Sequence, residues 1–341
     1  MAGASEVGTG GVGLVLGAGG VIGHAWHAGV VAALAEEGWD ARRADVVVGT
    51  SAGSVVAALL RADLDPVDIY ARAVDQPLSP AGQRIVAAGL GSRPLAPPSF
   101  RPPSRGGWAP AAPRTVLRAL NPLNPRFGLL TGALPRGTND TAMISDGIGR
   151  LHGEGWPAAP MWICAVRLRD GSRVVFGRDV PGDVVDAPGV DAGPAQVPVG
   201  LAVAASCAIP GFFAPVAVDG VDHVDGGVHS PTNADLLTTV RPRLVVVSSP
   251  MSMDRSALRG MRPDRALRLG HRTTLLREVA ALRRAGAAVI SLQPGPDDIA
   301  AMGPPGTAMD PRRRGPVALQ ARETTLRRLQ RAPVRDALAG G

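Results

Sequence analysis

Asp45-Val46-Val47-Val48-Gly49-Thr50-Ser51-Ala52-Gly53 decides the fold of this 341-residue chain. A β-branched run leads into Gly-x-Ser-x-Gly, and a small-residue helix from Ser54 to Leu60 follows directly. Strand, sharp turn, helix is the order of a nucleophile elbow. Such a turn holds Ser51 in a strained backbone conformation, with its Oγ clear of the sheet edge above a helix N-terminus. Gly49 and Gly53, having no Cβ, let neighbouring backbone pack close. In a chain with 44 glycines the pentapeptide alone also reads as a Gly-rich strand-to-helix turn. The residues upstream distinguish the two readings.

Val12 to Leu16 is an apolar run and the first expected parallel strand. Gly17-Ala18-Gly19-Gly20-Val21-Ile22-Gly23 follows. His24 to Glu37 then has helical spacing at Trp26, Val30, Val31 and Leu34, with Gly38 as the stop. The first 60 residues therefore read β, Gly loop, α, β, elbow, α, which calls for a parallel sheet with a right-handed crossover. Further on, Thr138 or Asn139 is expected to cap a helix to about His152. Met161–Arg167 and Arg173–Phe176 are expected to form a hairpin around Asp170-Gly171. Pro198 to Ala205 is a helix or buried run. Val216–Val218 and His223-Val224 flank a turn at Asp219-Gly220. Leu244–Val247 and Val289–Leu292 are buried strands, and Asp264 to Ala285 is a helix with Leu275, Leu276, Val279 and Leu282 on one side.

The length suits one α/β domain with insertions. All 36 basic residues are arginine, and the net charge is +7, a balance that favours an anionic partner such as nucleic acid or a phospholipid surface. A solvated basic surface accounts for any single patch equally well. Residues 77–139 hold 12 prolines and 8 arginines without one Asp or Glu. They read as irregular chain, with a Pro/Arg-rich insertion around 91–113, or as a basic lid that meets anionic lipid. The tail from Pro311 carries 8 arginines, with Leu319, Leu326 and Leu329 as a candidate amphipathic face. The expected organisation is a flexible 1–11, a hydrolase domain over 12–303 and an Arg-rich 304–341. Cys164 and Cys207 read as buried thiols of a reducing compartment. No signal-like N-terminus and no run of about 18 apolar residues is evident, so the expectation is a cytoplasmic protein with peripheral membrane contact.

Gly17 to Gly23 nearly fits a dinucleotide loop, but the third glycine falls one residue late. As an oxyanion loop it needs only consecutive backbone N–H groups beside the nucleophile. Consecutive strands place it next to the elbow at one sheet edge, where Gly19 and Gly20 can face a developing oxyanion. A serine nucleophile also needs a base. Six histidines (24, 27, 152, 223, 229 and 271) offer no decisive context. Asp225, at the end of His223-Val224-Asp225-Gly226-Gly227, is either that base on a tight turn or an ordinary Asp-Gly hairpin residue.

Four blocks in order resemble the patatin-like phospholipases, in particular bacterial ones: Gly17–Gly23, Gly49–Gly53, Ala204–Pro215 and Asp225-Gly226-Gly227. The resemblance runs from residue 12 to about 303. It implies a three-layer α/β/α fold with a mostly parallel sheet and no cofactor. It implies cleavage of lipid acyl esters through an acyl-enzyme, by a Ser–Asp dyad without histidine. Ser51 would be the nucleophile, Asp225 the base, and Gly19 and Gly20 the oxyanion donors. Ile22 stands where the family often has Arg, and Ala18 replaces a glycine. Burial against Pro210, Phe212 and Phe213 would raise the Asp225 carboxyl from its feeble basicity near 3.9, or those residues only pack a turn. Two other functions compete. A nucleotide-dependent oxidoreductase would use the Gly17 loop and leave Ser51 and Asp225 idle. A membrane-docking protein on an inactive hydrolase scaffold would not need them. No metal or nucleic acid is expected.

Overall fold

The computed structural model describes residues 10–89, 136–153, 155–177, 180, 190–194, 196–259, 265–331 and 338. The Pro/Arg-rich stretch expected around 91–113, and with it the lid reading, lies outside the described residues. β1 (Val12–Leu16) and β2 (Val46–Thr50) run parallel, with Gly13 opposite Val46 and Leu16 opposite Gly49. Every residue of both strands is buried. Uninterrupted apolar runs of this kind form where a strand is covered on both faces.

The remaining strands are β3 (Met161–Arg167), β4 (Arg173–Phe176), β5 (Val190–Ala192), β6 (Val216–Val218), β7 (Val221–Asp225), β8 (Leu244–Ser248) and β9 (Ala288–Leu292). They join one sheet in the order β5-β4-β3-β2-β1-β8-β9, with β7 paired to β3 and β6 to β7. β3, β2, β1, β8 and β9 are mutually parallel, whereas β4 and β7 run antiparallel to β3.

Alternation along the strands divides the core in two. Leu14, Leu16, Val47, Ile163 and Val246 point to one side. There they meet α1 (Gly20–Glu36), α2 (Ala52–Arg61), α3 (Pro66–Ala73), α6 (Val199–Ser206) and α9 (Arg314–Leu329). Val15, Val46, Val48, Trp162 and Val247 point to the other side, against Leu275, Val279 and Leu282 of α7 (Ala266–Arg284). The result is the expected α/β/α sandwich around a mostly parallel sheet. Three shorter helices complete it: α4 (Pro80–Gly89), α5 (Ala142–His152) and α8 (Pro296–Met302).

Several boundaries differ from those read off the sequence. α1 begins at Gly20, not His24, because the Gly19-Gly20 pair turns the chain directly into the helix; Gly38, at φ +88°, follows its end. α5 begins at Ala142. Asn139 is spent elsewhere, with its Nδ2 donating to the Phe212 carbonyl at 3.0 Å, and the Ala142 amide donates to Asp140 instead. α4 occupies part of the stretch expected to be irregular. Pro80 at its start, with Ala81, Gln83, Arg84, Ala87 and Ala88 behind it, accounts for it. Residues 314–329, expected in an Arg-rich tail, form α9 and pack along α1. The contact face is built by Val317, Ala318, Ala321 and Leu329, while Leu319 is exposed. A Cβ on Gly29 would lie 2.3 Å from the Ala318 carbonyl, so small residues set a close helix crossing. No described helix is long and apolar enough to cross a membrane.

Candidate active site

Ser51 joins β2 to α2 with φ 52° and ψ −121°, a conformation that side-chain-bearing residues avoid at a cost on the order of 1–3 kcal/mol. The surroundings enforce it. A Cβ on Gly53 would sit 2.0 Å from the Leu16 carbonyl, and one on Gly49 2.7 Å from the Ser54 Cα. The elbow is thus wedged against the end of β1 with no space for larger residues. The Ser51 amide donates to Ser206 Oγ at 2.9 Å, and that hydroxyl donates to the Cys164 carbonyl at 2.6 Å. Ser54 Oγ closes the turn by donating to the Ser51 carbonyl at 2.6 Å.

β3 brings Asp225 to the serine. Along one edge of β3, Thr50 of β2 pairs with Cys164, and Asp225 of β7 pairs with the next residue, Ala165. β4 occupies the opposite edge over Ile163–Val166. β2 and β7 therefore approach end to end along the same edge, and their tips carry Ser51 and Asp225. The Ser51 hydroxyl lies close enough to the Asp225 carboxyl to lower its pKa. Gly226 must be glycine for this approach, since a Cβ there would meet the Cys164 carbonyl at 2.3 Å.

Asp225 is almost fully buried. Loss of solvent pushes its carboxyl up from 3.8 to about 6, against the lowering effects of the Ser51 hydroxyl and the Gly227 amide, which donates at 2.7 Å. Cys207, beside Asp225 and 3.7 Å from Ser54 Oγ, has its thiol pushed well above the usual range by burial and by that carboxylate. A buried carboxyl near 6 is still ionised at neutral pH, and it is a far better proton acceptor than an exposed aspartate.

The Gly17–Gly23 loop lies alongside. Gly17 and Ala18 spend their amides on Ser248 and Pro231 carbonyls, and Ile22 and Gly23 on Ala308 and Gly19 carbonyls. Among the described residues no acceptor takes the Gly19 or Gly20 amide. Gly20 has φ +63°, and a Cβ there would strike the Ala308 carbonyl. A Cβ on Gly227 would lie 3.1 Å from the Ala18 Cβ, so this loop borders the Asp225 turn. Ile22 is buried in the main core and presents no charge to the site.

No histidine hydrogen-bonds Ser51 or Asp225 among the described residues. His223, two residues before Asp225, turns Nδ1 to the Val221 carbonyl at 2.8 Å and packs edge-on against Phe176. His27 is held between Ser248 Oγ and the Gly17 carbonyl, and burial lowers it to about 4. His152 and His271 face the carbonyls of Ala58 and Met251. Phe212 and Phe213 stack edge to face on each other, and Phe212 receives Asn139, so this pair anchors the chain near residue 139. No described cluster of His, Cys, Asp and Glu is arranged to hold a metal ion.

Two further residues have no assigned role in the sequence reading. Ser206 holds the Ser51 amide; the signal available was a serine ending the otherwise apolar helix Val199–Ser206, where a buried hydroxyl must find partners. Asn233 is fully buried eight residues after Asp225, and nothing local marks it.

The family model for Patatin-like phospholipase matches residues 14–238. The chain belongs to the patatin-like phospholipase family. The match spans β1 through the Asp225 turn, so the elbow, the glycine loop and the β7 turn all lie inside the patatin-like domain. Among solved structures, the chain is similar to VipD from Legionella pneumophila, with 15% identity and a TM-score of 0.40. That match covers 93% of this chain and 66% of the other, so the chain spans just under two thirds of VipD's solved length. No curated protein matches this chain.

Proposed function

We propose that this patatin-like protein is a lipid acyl hydrolase that cleaves carboxylic esters of phospholipids or related lipids. Ser51 attacks the ester carbonyl while Asp225 takes its proton. The tetrahedral oxyanion is received by the Gly19 and Gly20 amides. Collapse expels the alcohol, which recovers the proton from Asp225, and leaves Ser51 acylated. Water, deprotonated by Asp225, then attacks the acyl-enzyme; collapse releases the fatty acid, and the departing Ser51 oxygen takes back the proton from Asp225. The observation that carries this reading is the meeting of the β2 and β7 tips on neighbouring residues of β3, which sets Ser51 beside the buried Asp225 carboxyl. The unspent Gly19 and Gly20 amides support it.

The oxidoreductase reading has less support, because the amides of Gly17, Ala18, Ile22 and Gly23 are spent on carbonyls within the protein. Labelling by a fluorophosphonate probe, with release of fatty acid from phosphatidylcholine and phosphatidylglycerol vesicles, tests the proposal. Wild-type protein is labelled and releases fatty acid, and Ser51→Ala does neither. Equal turnover by Ser51→Ala would remove Ser51 from the reaction.

A further inference from the structure

Asn233 is fully buried and adopts the left-handed conformation, φ 52° and ψ 30°, that Asn tolerates better than most residues. Its side chain lies across the junction between β2 and β7. Nδ2 donates to the Ser230 carbonyl at 2.7 Å and to Thr50 Oγ1 at 3.1 Å, and it lies 3.5 Å from the Gly226 carbonyl. Thr50 immediately precedes the nucleophile, and Gly226 immediately follows Asp225. On the other side, Arg173 Nη1 donates to Oδ1 at 3.2 Å. A guanidinium can only donate, so it fixes the amide with oxygen towards β4 and nitrogen towards the dyad. Arg173 is itself held by Asp235 through two bonds, at 2.7 and 2.9 Å.

We infer that Asn233 is the positioning residue of the dyad, tying the strand end that carries Ser51 to the turn that carries Asp225; this rests on the hydrolase reading above. The loop that presents Asn233 is rigidly held. Glu278 of α7 accepts from Ser230 Oγ at 2.5 Å, from the Thr232 hydroxyl and from the Ala234 amide at 3.1 Å. Asn233 also accounts for a hydroxyl at position 50, since Thr50 Oγ1 is the acceptor that its amide needs. Without this tie the spacing between the two tips rests on backbone pairing to β3 and on the Ser206–Ala208 segment, which accepts from the Ser51 and Asp225 amides. A displacement of about 1 Å at a reacting centre costs on the order of a hundredfold in rate.

Three variants test the inference. Asn233→Gly keeps the left-handed backbone and removes the amide. Thr50→Val is nearly isosteric and removes the acceptor, and Thr50→Ser restores it. On a soluble aryl ester, Asn233→Gly and Thr50→Val lower kcat ten- to a hundredfold with KM within about twofold, and fluorophosphonate labelling slows in parallel. Thr50→Ser recovers most of the rate. The acid limb of the kcat profile moves to higher pH in the two defective variants, because a Ser51 hydroxyl that shifts away no longer offsets the effect of burial on Asp225. A residue that only supports folding would lower the unfolding midpoint without moving that limb. If Asn233→Gly does not fold, Thr50→Val against Thr50→Ser decides the question. Folded Asn233→Gly or Thr50→Val with wild-type kcat and an unmoved limb overturns the inference alone. Failure of the wild-type chain to label overturns the hydrolase reading, and the inference with it.

Discussion

Thr50 and Asp225 pair with consecutive residues of a single strand edge, Thr50 with Cys164 and Asp225 with Ala165. Two strands of opposite direction share that edge and meet tip to tip. The separation of Ser51 from Asp225 is thus set by the register of β3, and any residue that pushes β7 off this edge separates them.

Gly226→Ala is the sharpest such change. The new Cβ would lie 2.3 Å from the Cys164 carbonyl, a contact that backbone must yield to. The expected outcome is a loss of at least about a hundredfold in kcat, together with a lower unfolding midpoint. Gly149→Ala on α5 is the contrast, since its Cβ meets nothing within 4 Å. That variant should keep full activity and gain about 0.4–1 kcal/mol in stability by restricting the unfolded chain. Thermal unfolding and ester hydrolysis on the same preparations check both; an active, stable Gly226→Ala would refute the account of the edge.

Ser206→Ala leaves the Ser51 amide and the Cys164 carbonyl without their shared partner inside the protein. Orphaned buried groups of this kind cost about 1–3 kcal/mol. Because one of them belongs to the backbone of Ser51, the proposed nucleophile, kcat should also fall about tenfold with KM nearly unchanged. Chemical denaturation and steady-state kinetics measure the two effects separately.

Burial raises the Asp225 carboxyl from 3.8 to about 6, and only the ionised form accepts the serine proton. Activity should therefore fall as pH drops through about 6. Stability runs the opposite way. The folded state keeps a proton that the unfolded chain gives up near 3.8, so this group's contribution is fully present below that pH and is lost as pH rises through about 6. Asp225→Asn removes the loss. The stability of Asp225→Asn relative to wild type should thus increase from pH 4 to pH 8, by up to roughly 3 kcal/mol. A difference that stays constant across that range would show that Asp225 titrates normally.

The sequence makes β1, the glycine loop, α1, β2 and the elbow legible because each has a local cause: a valine-rich run, a glycine that admits backbone, helical spacing. Asp225 is recognisable only through its Gly226-Gly227 context and the order of the blocks. The meeting of β2 and β7 on β3 is invisible in the chain, since Thr50 pairs with Cys164 and Asp225 with Ala165, both far away in sequence, and such pairing leaves no local mark. Asn233 and Ser206 are hidden for the same reason, as their partners come from distant strands. The face of α9 is read only in part from its leucines: Leu329 is buried and Leu326 packs on the core, but Leu319 is exposed, and the crossing over Gly29 is made by Ala318 and Ala321, which are small and give little hydrophobic signal. α3 carries its start signal openly, with Asp65 accepting from the Val67 amide and Pro66 in the first turn, yet it is too short for periodicity to expose.

The central claim is that Asp225, with no histidine, serves Ser51. Its most direct test is the kcat of Asp225→Asn beside that of His223→Gln on one soluble ester. Asn matches Asp in shape but cannot take the proton at neutral pH. The account predicts that folded Asp225→Asn loses at least about a thousandfold in kcat, while His223→Gln, whose imidazole faces Val221 and Phe176, stays within about threefold of wild type. A folded His223→Gln as inactive as Asp225→Asn, or an Asp225→Asn that turns over normally, would contradict it.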